Sequence, residues 1–239
     1  MSTHVYCTRA RWISIPRAAI AALVFAALPL WAGLVGPHRA AATDGDGMVG
    51  IFAPRAQLHG YSLQEMAKVT AAFNVTDHSG PPPAAVDGTR IQMLYTTANN
   101  APFYVKKGTA LYVPVFLSDD SPPVIGEYPA NVNDREAILN YVYSQAQMGL
   151  VSSIIKIDGQ SFPLDENYIA AVRVRPLPDG GGTRYLVSAA YVKPLKKGQH
   201  TVEISVYLTG AALGPWCEAV GFSCPDGLSW MVQYTVHVQ

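Results

Sequence analysis

Four stretches near the end of the chain are rich in β-branched and aromatic residues: Tyr168 to Val174, Arg184 to Val192, Gln199 to Leu208 and Ser229 to Val238. Turn-forming segments, PLPDGGG and KPLKKG among them, divide them. In the last stretch Trp230, Val232, Tyr234, Val236 and Val238 alternate with Met231, Gln233, Thr235 and His237. A period of two sends one set to a buried face and the other to a wet face of a sheet.

Earlier segments extend the pattern. Ile91 to Tyr95 and Val151 to Ile157 read as strands, and Asp158-Gly159 reads as a tight turn into Gln160 to Phe162. Ala110 to Leu117 (ALYVPVFL) is apolar on both faces, and Pro114 within it requires a sheet edge or a bulge. Two segments follow helical spacing instead. Over Tyr61 to Val75 the residues Leu63, Met66, Val69, Ala72 and Phe73 share one face behind a Ser62 and Glu65 capping box. In the second, Asn133 and Glu136 cap a helix whose apolar face is Ile138, Leu139, Val142 and Met148. Strands without regular helix alternation predict a mainly β fold, an antiparallel β-sandwich with one or two short helices, preceded by an N-terminal signal helix. The expected division is a signal at 1–42, a linker at 43–57 with a short apolar contact at Val49 to Phe52, and one domain at 58–239.

The signal rests on order. Arg9, Arg11 and Arg17 precede an uncharged apolar run from Ala18 to Gly36, and Ala40, Ala41 and Ala42 follow with the small side chains a signal peptidase requires. A run of 19 residues is also nearly long enough to span a bilayer, so an uncleaved inner-membrane anchor is the alternative. Both place residues 43 onward outside the cytoplasm, secreted or periplasmic. Four arginines and no acid lie in residues 1–42, which leaves 13 basic against 17 acidic residues beyond them. No basic run interrupts that acidic balance, so nucleic acid is not an expected partner. Cys217 and Cys224 remain as the cysteines of the exported part; an oxidising compartment pairs them as a disulfide worth about 2.5 kcal/mol by chain entropy.

Four segments resemble a family of exported bacterial proteins of unknown function: GYSLQEMAKVTAAF (60–73), VKKGTALYVPVF (105–116), IIKIDGQSF (154–162) and VKPLKKGQHTVEISV (192–206). The family pattern runs from a helix through a "PV" strand and an "IDG" turn to a "PLxPGxH" hairpin. The tryptophans of the family's helix are absent here. The resemblance implies a sandwich and export, and it brings no catalytic residue with it.

Candidate site residues follow from chemistry. His200 shares a strand face with Val202, Ile204 and Val206, where it is either a base awaiting partners from other strands or a histidine that locks the hairpin after Gly198. Asp119 and Asp120, within SDDS, offer carboxylates for calcium or simply a solvated turn. His78 and His59 flank the first helix beside Asp77. Tyr95, Tyr104, Tyr112, Tyr141, Tyr143, Tyr185 and Tyr191 either line a groove for sugars or fill the core. No G-x-S-x-G elbow or phosphate-binding glycine loop occurs, and no cofactor is expected. The sequence therefore predicts a non-catalytic binding or envelope-associated module. Its partner would be a small molecule, a glycan or an envelope protein, with a membrane partner only if residues 18–36 are retained. The alternatives are a secreted hydrolase or metal-dependent enzyme around His200, and a membrane-anchored structural partner.

Overall fold

The computed structural model describes residues 49–74, 86, 88–95, 102–178 and 180–239. The expected signal at 1–42 and His78 lie outside them. In chain order the elements are α1 (Leu63–Asn74), β1 (Ile91–Met93), β2 (Phe103–Val105), β3 (Ala110–Asp119), α2 (Arg135–Tyr143), β4 (Leu150–Ile157), β5 (Gln160–Pro163), β6 (Ile169–Arg173), β7 (Arg184–Val192), β8 (Gly198–Leu208), α3 (Leu213–Ala219) and β9 (Leu228–Val238). They form a sandwich of two sheets, ordered β1-β3-β7-β6 and β2-β9-β8-β4-β5. The long ladders are antiparallel, as the sequence predicts. Each sheet also gains one short parallel edge strand, β1 against β3 and β2 against β9.

The four-stranded sheet is buried on both faces. Leu111, Val113, Leu186, Ala190 and Val192 point into the layer between the sheets, with Ile155, Val202, Ile204, Val206 and Val236 opposite. Tyr112, Tyr185, Val187, Ala189 and Tyr191 point the other way, beneath α1. This explains why ALYVPVFL shows no polar face. The register of β3 slips between Pro114 and Phe116 opposite β7, so Val115 and Phe116, consecutive in sequence, both reach the inter-sheet core. A bulge supplies the extra residue and tolerates a proline that cannot donate to a ladder.

The α1 capping box forms as expected: Ser62 N–H donates to Glu65 Oε2 at 3.0 Å and Glu65 N–H to Ser62 Oγ at 3.3 Å. The buried stripe is rotated from the predicted one, however. Leu63, Met66, Ala67, Thr70 and Ala71 are buried, whereas Ala72 is exposed. Small side chains face the sheet because they let the helix settle against Ala170 and Ala189. α2 starts one residue later than the sequence suggests. Asp134, not Asn133, is its cap and accepts from Ala137 N–H. Its Ile138, Tyr141 and Val142 complete the inter-sheet core. The segment before α1 is also tied down: Ile51 bridges to Val192, and Phe52 N–H donates to Tyr191 O at 2.8 Å.

The outer face of the five-stranded sheet alternates as the β9 sequence predicts, and it carries Tyr104, Met231 and Tyr207 among its exposed side chains. Of the tyrosines considered for a groove, Tyr112, Tyr141, Tyr185 and Tyr191 are fully buried and Tyr95 nearly so. Tyr104 instead points outward and stacks on His237, with ring centroids 4.9 Å apart. Burial pushes the Tyr141 hydroxyl up to about 12, and raises Tyr112, Tyr185 and Tyr191 above the ordinary value of 10 as well. Because the folded values exceed the unfolded one, this stabilisation is complete below about pH 10 and is lost as pH rises through the folded values. Alkaline titration followed by tyrosinate absorbance and circular dichroism should show these phenols ionising together with unfolding, above the pH at which exposed tyrosines titrate.

Candidate functional site

His200 begins from a turn. The Asp158-Gly159 pair joins β4 to β5 with both residues at positive φ, 48° and 90°, a conformation that aspartate tolerates and glycine favours. This geometry aims the Asp158 carboxylate across to β8. Its Oδ1 accepts Thr201 N–H at 2.9 Å, and its Oδ2 lies 2.6 Å from His200 Nδ1. The other ring nitrogen, Nε2, lies 2.8 Å from the carbonyl of Lys196 in the β7–β8 turn. A catalytic histidine orients one nitrogen on a carboxylate and leaves the other for the reacting group. Here both nitrogens are engaged, one on each of two turns. The ring acts as a clamp that fastens the β4–β5 turn to the start of β8, which matches the hairpin-locking role and leaves no free nitrogen to serve as a base.

Asp119 and Asp120 lie at the far end of the sandwich from His200. β3 ends there, and its ten residues span about 30 Å. The fold therefore separates His200 from the two aspartates that a shared hydrolytic or metal site would need. Asp119 is buried and its Oδ1 accepts Ser121 N–H at 2.8 Å. Asp120 Oδ1 accepts from Thr183 N–H at 2.7 Å and Arg184 N–H at 2.8 Å, while Oδ2 takes Arg184 Nε at 2.6 Å. Burial alone would raise the Asp120 carboxyl, but the Arg184 backbone and guanidinium together with Thr183 N–H outweigh it and hold it below the usual carboxylate range. Among the described residues no three His, Cys, Asp or Glu side chains group as a metal site.

These bonds knit one end of the molecule. Arg184 Nη1 donates to Pro129 O at 2.7 Å, and its guanidinium lies 5.4 Å from the centre of the Tyr128 ring. Gly182 N–H donates to Ser121 Oγ at 3.1 Å. A side chain at Gly182 would sit 2.5 Å from that oxygen and 2.8 Å from Asp120 Oδ1, so the glycine is what allows the β6–β7 connection to lie on the segment after β3. Trp216 Nε1 donates to Pro123 O at 3.0 Å, which adds the β8–β9 connection. Within that connection Cys217 and Cys224 are disulfide-bonded, as expected from their pairing. Three loops thus meet, and Phe222 beside the disulfide remains 42% exposed. The glycine run 180–182 had been legible only as a strand connection, and the role of Arg184, 64 residues from Asp120, carried no local signal.

His59 occupies the tight turn between Leu58 and Tyr61 with φ 51° and is exposed. Asp134 and Glu136 serve the start of α2, and Glu127 is exposed.

No protein-family model and no curated protein matches the chain. Among solved structures, the solution structure of Amebosin is 13% identical, with 64% of this chain and 100% of that chain covered, at a TM-score of 0.25. The crystal structure of the cysteine protease inhibitor EhICP2 from Entamoeba histolytica is 11% identical, with 62% and 96% covered, at a TM-score of 0.26. Likeness at this level carries neither fold nor function to the chain.

The clamp has a measurable energetic signature. His200→Ala should lower unfolding stability by about 1–3 kcal/mol, since it leaves two acceptors without their donor. Asp158 is partly exposed, so solvent screens the charged component; a double-mutant cycle with Asp158→Ala should return a coupling of about 0.5–1.5 kcal/mol in chemical denaturation.

Proposed function

We propose that this protein is an exported, non-catalytic binding module that meets its partner through the knitted loop end. The observation that carries this reading is how the chemically capable side chains are used. Both nitrogens of His200 and both oxygens of Asp120 hold turns and loops in place. A loop surface fixed in advance loses little conformational freedom on association, which favours binding over turnover. The exposed Phe222 ring beside the disulfide suits a protein partner, because aromatic side chains are enriched at such interfaces. A partner in the envelope or outside the cell is the reading most consistent with export.

Export itself is supported by the arginine, apolar and small-residue order of residues 1–42 and by the resemblance to exported bacterial proteins. The Cys217–Cys224 bond is in keeping with an oxidising compartment. The expected location is the periplasm or the exterior, with or without retention of the apolar run at the inner membrane. Intact mass of the exported protein decides between these: loss of the first 42 residues excludes retention.

Site-specific photo-crosslinking in the producing cell tests the binding surface. A photo-crosslinking amino acid placed at Phe222 should give a discrete adduct with a protein, and one placed at Lys68 on α1 should not. Asp120→Ala, which unties the loops, should reduce the Phe222 adduct. Equal adducts from both positions would remove the loop end as the binding surface. Hydrolytic turnover by the purified protein that disappears in His200→Ala would establish the enzymatic alternative instead.

A further inference from the structure

Six cations far apart in the sequence meet at the end of the sandwich opposite Asp120. Lys106 and Lys107 lie between β2 and β3, Lys193, Lys196 and Lys197 between β7 and β8, and Arg90 directly before β1. Strand register brings them together. Val238 of β9 pairs with Val105 on one side and with Gly198 on the other. The two lysine pairs therefore flank the end of β9, one strand away on each side and about 10 Å from each other. In the facing sheet, Leu111 pairs with Val192 and Ala110 N–H donates to Arg90 O, which sets Lys193 and Arg90 at the same end.

This cluster runs against the charge of the molecule. Beyond residue 42 the chain holds 13 basic and 17 acidic residues, so only seven cations are left for the rest of it. Arg90, Lys106, Lys107, Lys196 and Lys197 are exposed and Lys193 is half-buried. Among the described residues none of the six forms an ion pair. Two acids belong to the same end, and both are engaged. Asp158 is held by His200 and Thr201, and Glu65 accepts Ser62 N–H.

The polypeptide also joins the fold here. Lys193 N–H donates to Gly50 O at 2.9 Å, and Ile51 bridges to Val192. Residues 1–48, which contain the uncharged apolar run Ala18 to Gly36, thus connect to the sandwich beside the cations.

We propose that this basic end docks on the anionic headgroups of a phospholipid bilayer, with the loop end turned away from it. Five of the six cations are lysines, compact point charges suited to a diffuse field of phosphates rather than to forked recognition of one group. An acidic protein or a nucleic acid would satisfy the cations alone. A bilayer accommodates both the cations and the apolar run that leads into them.

Vesicle co-sedimentation of the purified full chain tests this. Phosphatidylcholine vesicles are compared with phosphatidylcholine vesicles containing phosphatidylglycerol, at low and high salt. The apolar run contributes equally to both, so their ratio isolates the charge effect. The wild-type protein should favour the anionic vesicles at low salt and lose that preference at high salt. Lys106→Gln with Lys107→Gln should cut the preference by about 25-fold, at about fivefold per charge, and Lys196→Gln with Lys197→Gln should do the same. Arg173→Gln with Arg175→Gln, exposed cations at the opposite end, should leave it within about twofold. Circular dichroism establishes that each variant is folded. Equal binding of wild type to both vesicle types would overturn the proposal, as would an equal loss in the Arg173 and Arg175 control. Displacement from anionic vesicles by duplex DNA at matched phosphate and salt would also overturn it, by identifying a general polyanion site.

Discussion

The four-stranded sheet has no wet face, and the rest of the architecture follows from that constraint. A sheet apolar on both sides must be covered twice. The five-stranded sheet covers one side and α1 the other, so the molecule is built in three layers although only two are sheets. The small residues Ala170 and Ala189 set how closely the helix approaches, and the bulge after Pro114 sets which residues of β3 serve which layer. The five-stranded sheet is released from any such double duty. Its outer face can alternate polar and apolar residues and remain in water.

Local order was readable from the residues wherever a local cause fixed it. The Ser62 and Glu65 box, the Asp158-Gly159 turn, the bulge at Pro114 and the alternation of β9 each depend on neighbours a few positions apart. What the sequence left dark was set at long range. β2 is three residues of Phe-Tyr-Val whose strand character comes from pairing with the end of β9. α3 lies in a stretch with Gly214 and Pro215, poor helix formers, where its packing and disulfide outweigh propensity. Asn133 and Asp134 are both competent caps, and which one is used depends on where tertiary contacts begin the helix. The basic end is the clearest case. A linear scan finds no cluster of cations, because three separate connections contribute to it and only strand register unites them.

The candidate site shows the same division. His200 was legible as a residue of interest, but its partner Asp158 lies 42 positions away and was read only as half of a turn. The "IDG" turn and the "PLxxGxH" hairpin, which looked like separate motifs in the resemblance, are two halves of one contact in this chain. A pattern of that kind records a fastening in the fold as readily as it records chemistry. Asp120 teaches the complementary point: adjacent carboxylates after a strand can suggest an ion site, yet here they receive backbone N–H groups and a guanidinium.

The disulfide closes a loop of seven positions, and both of its cysteines lie between β8 and β9. Those two strands already pair along their whole length, from Gly198 against Val238 to Leu208 against Leu228. The covalent link therefore staples no layer to another and imposes no order on chain threading. Oxidation is a finishing step on a topology that is complete without it, so a chain that crosses a membrane unfolded and reduced can assemble its sandwich first and acquire its bond afterwards.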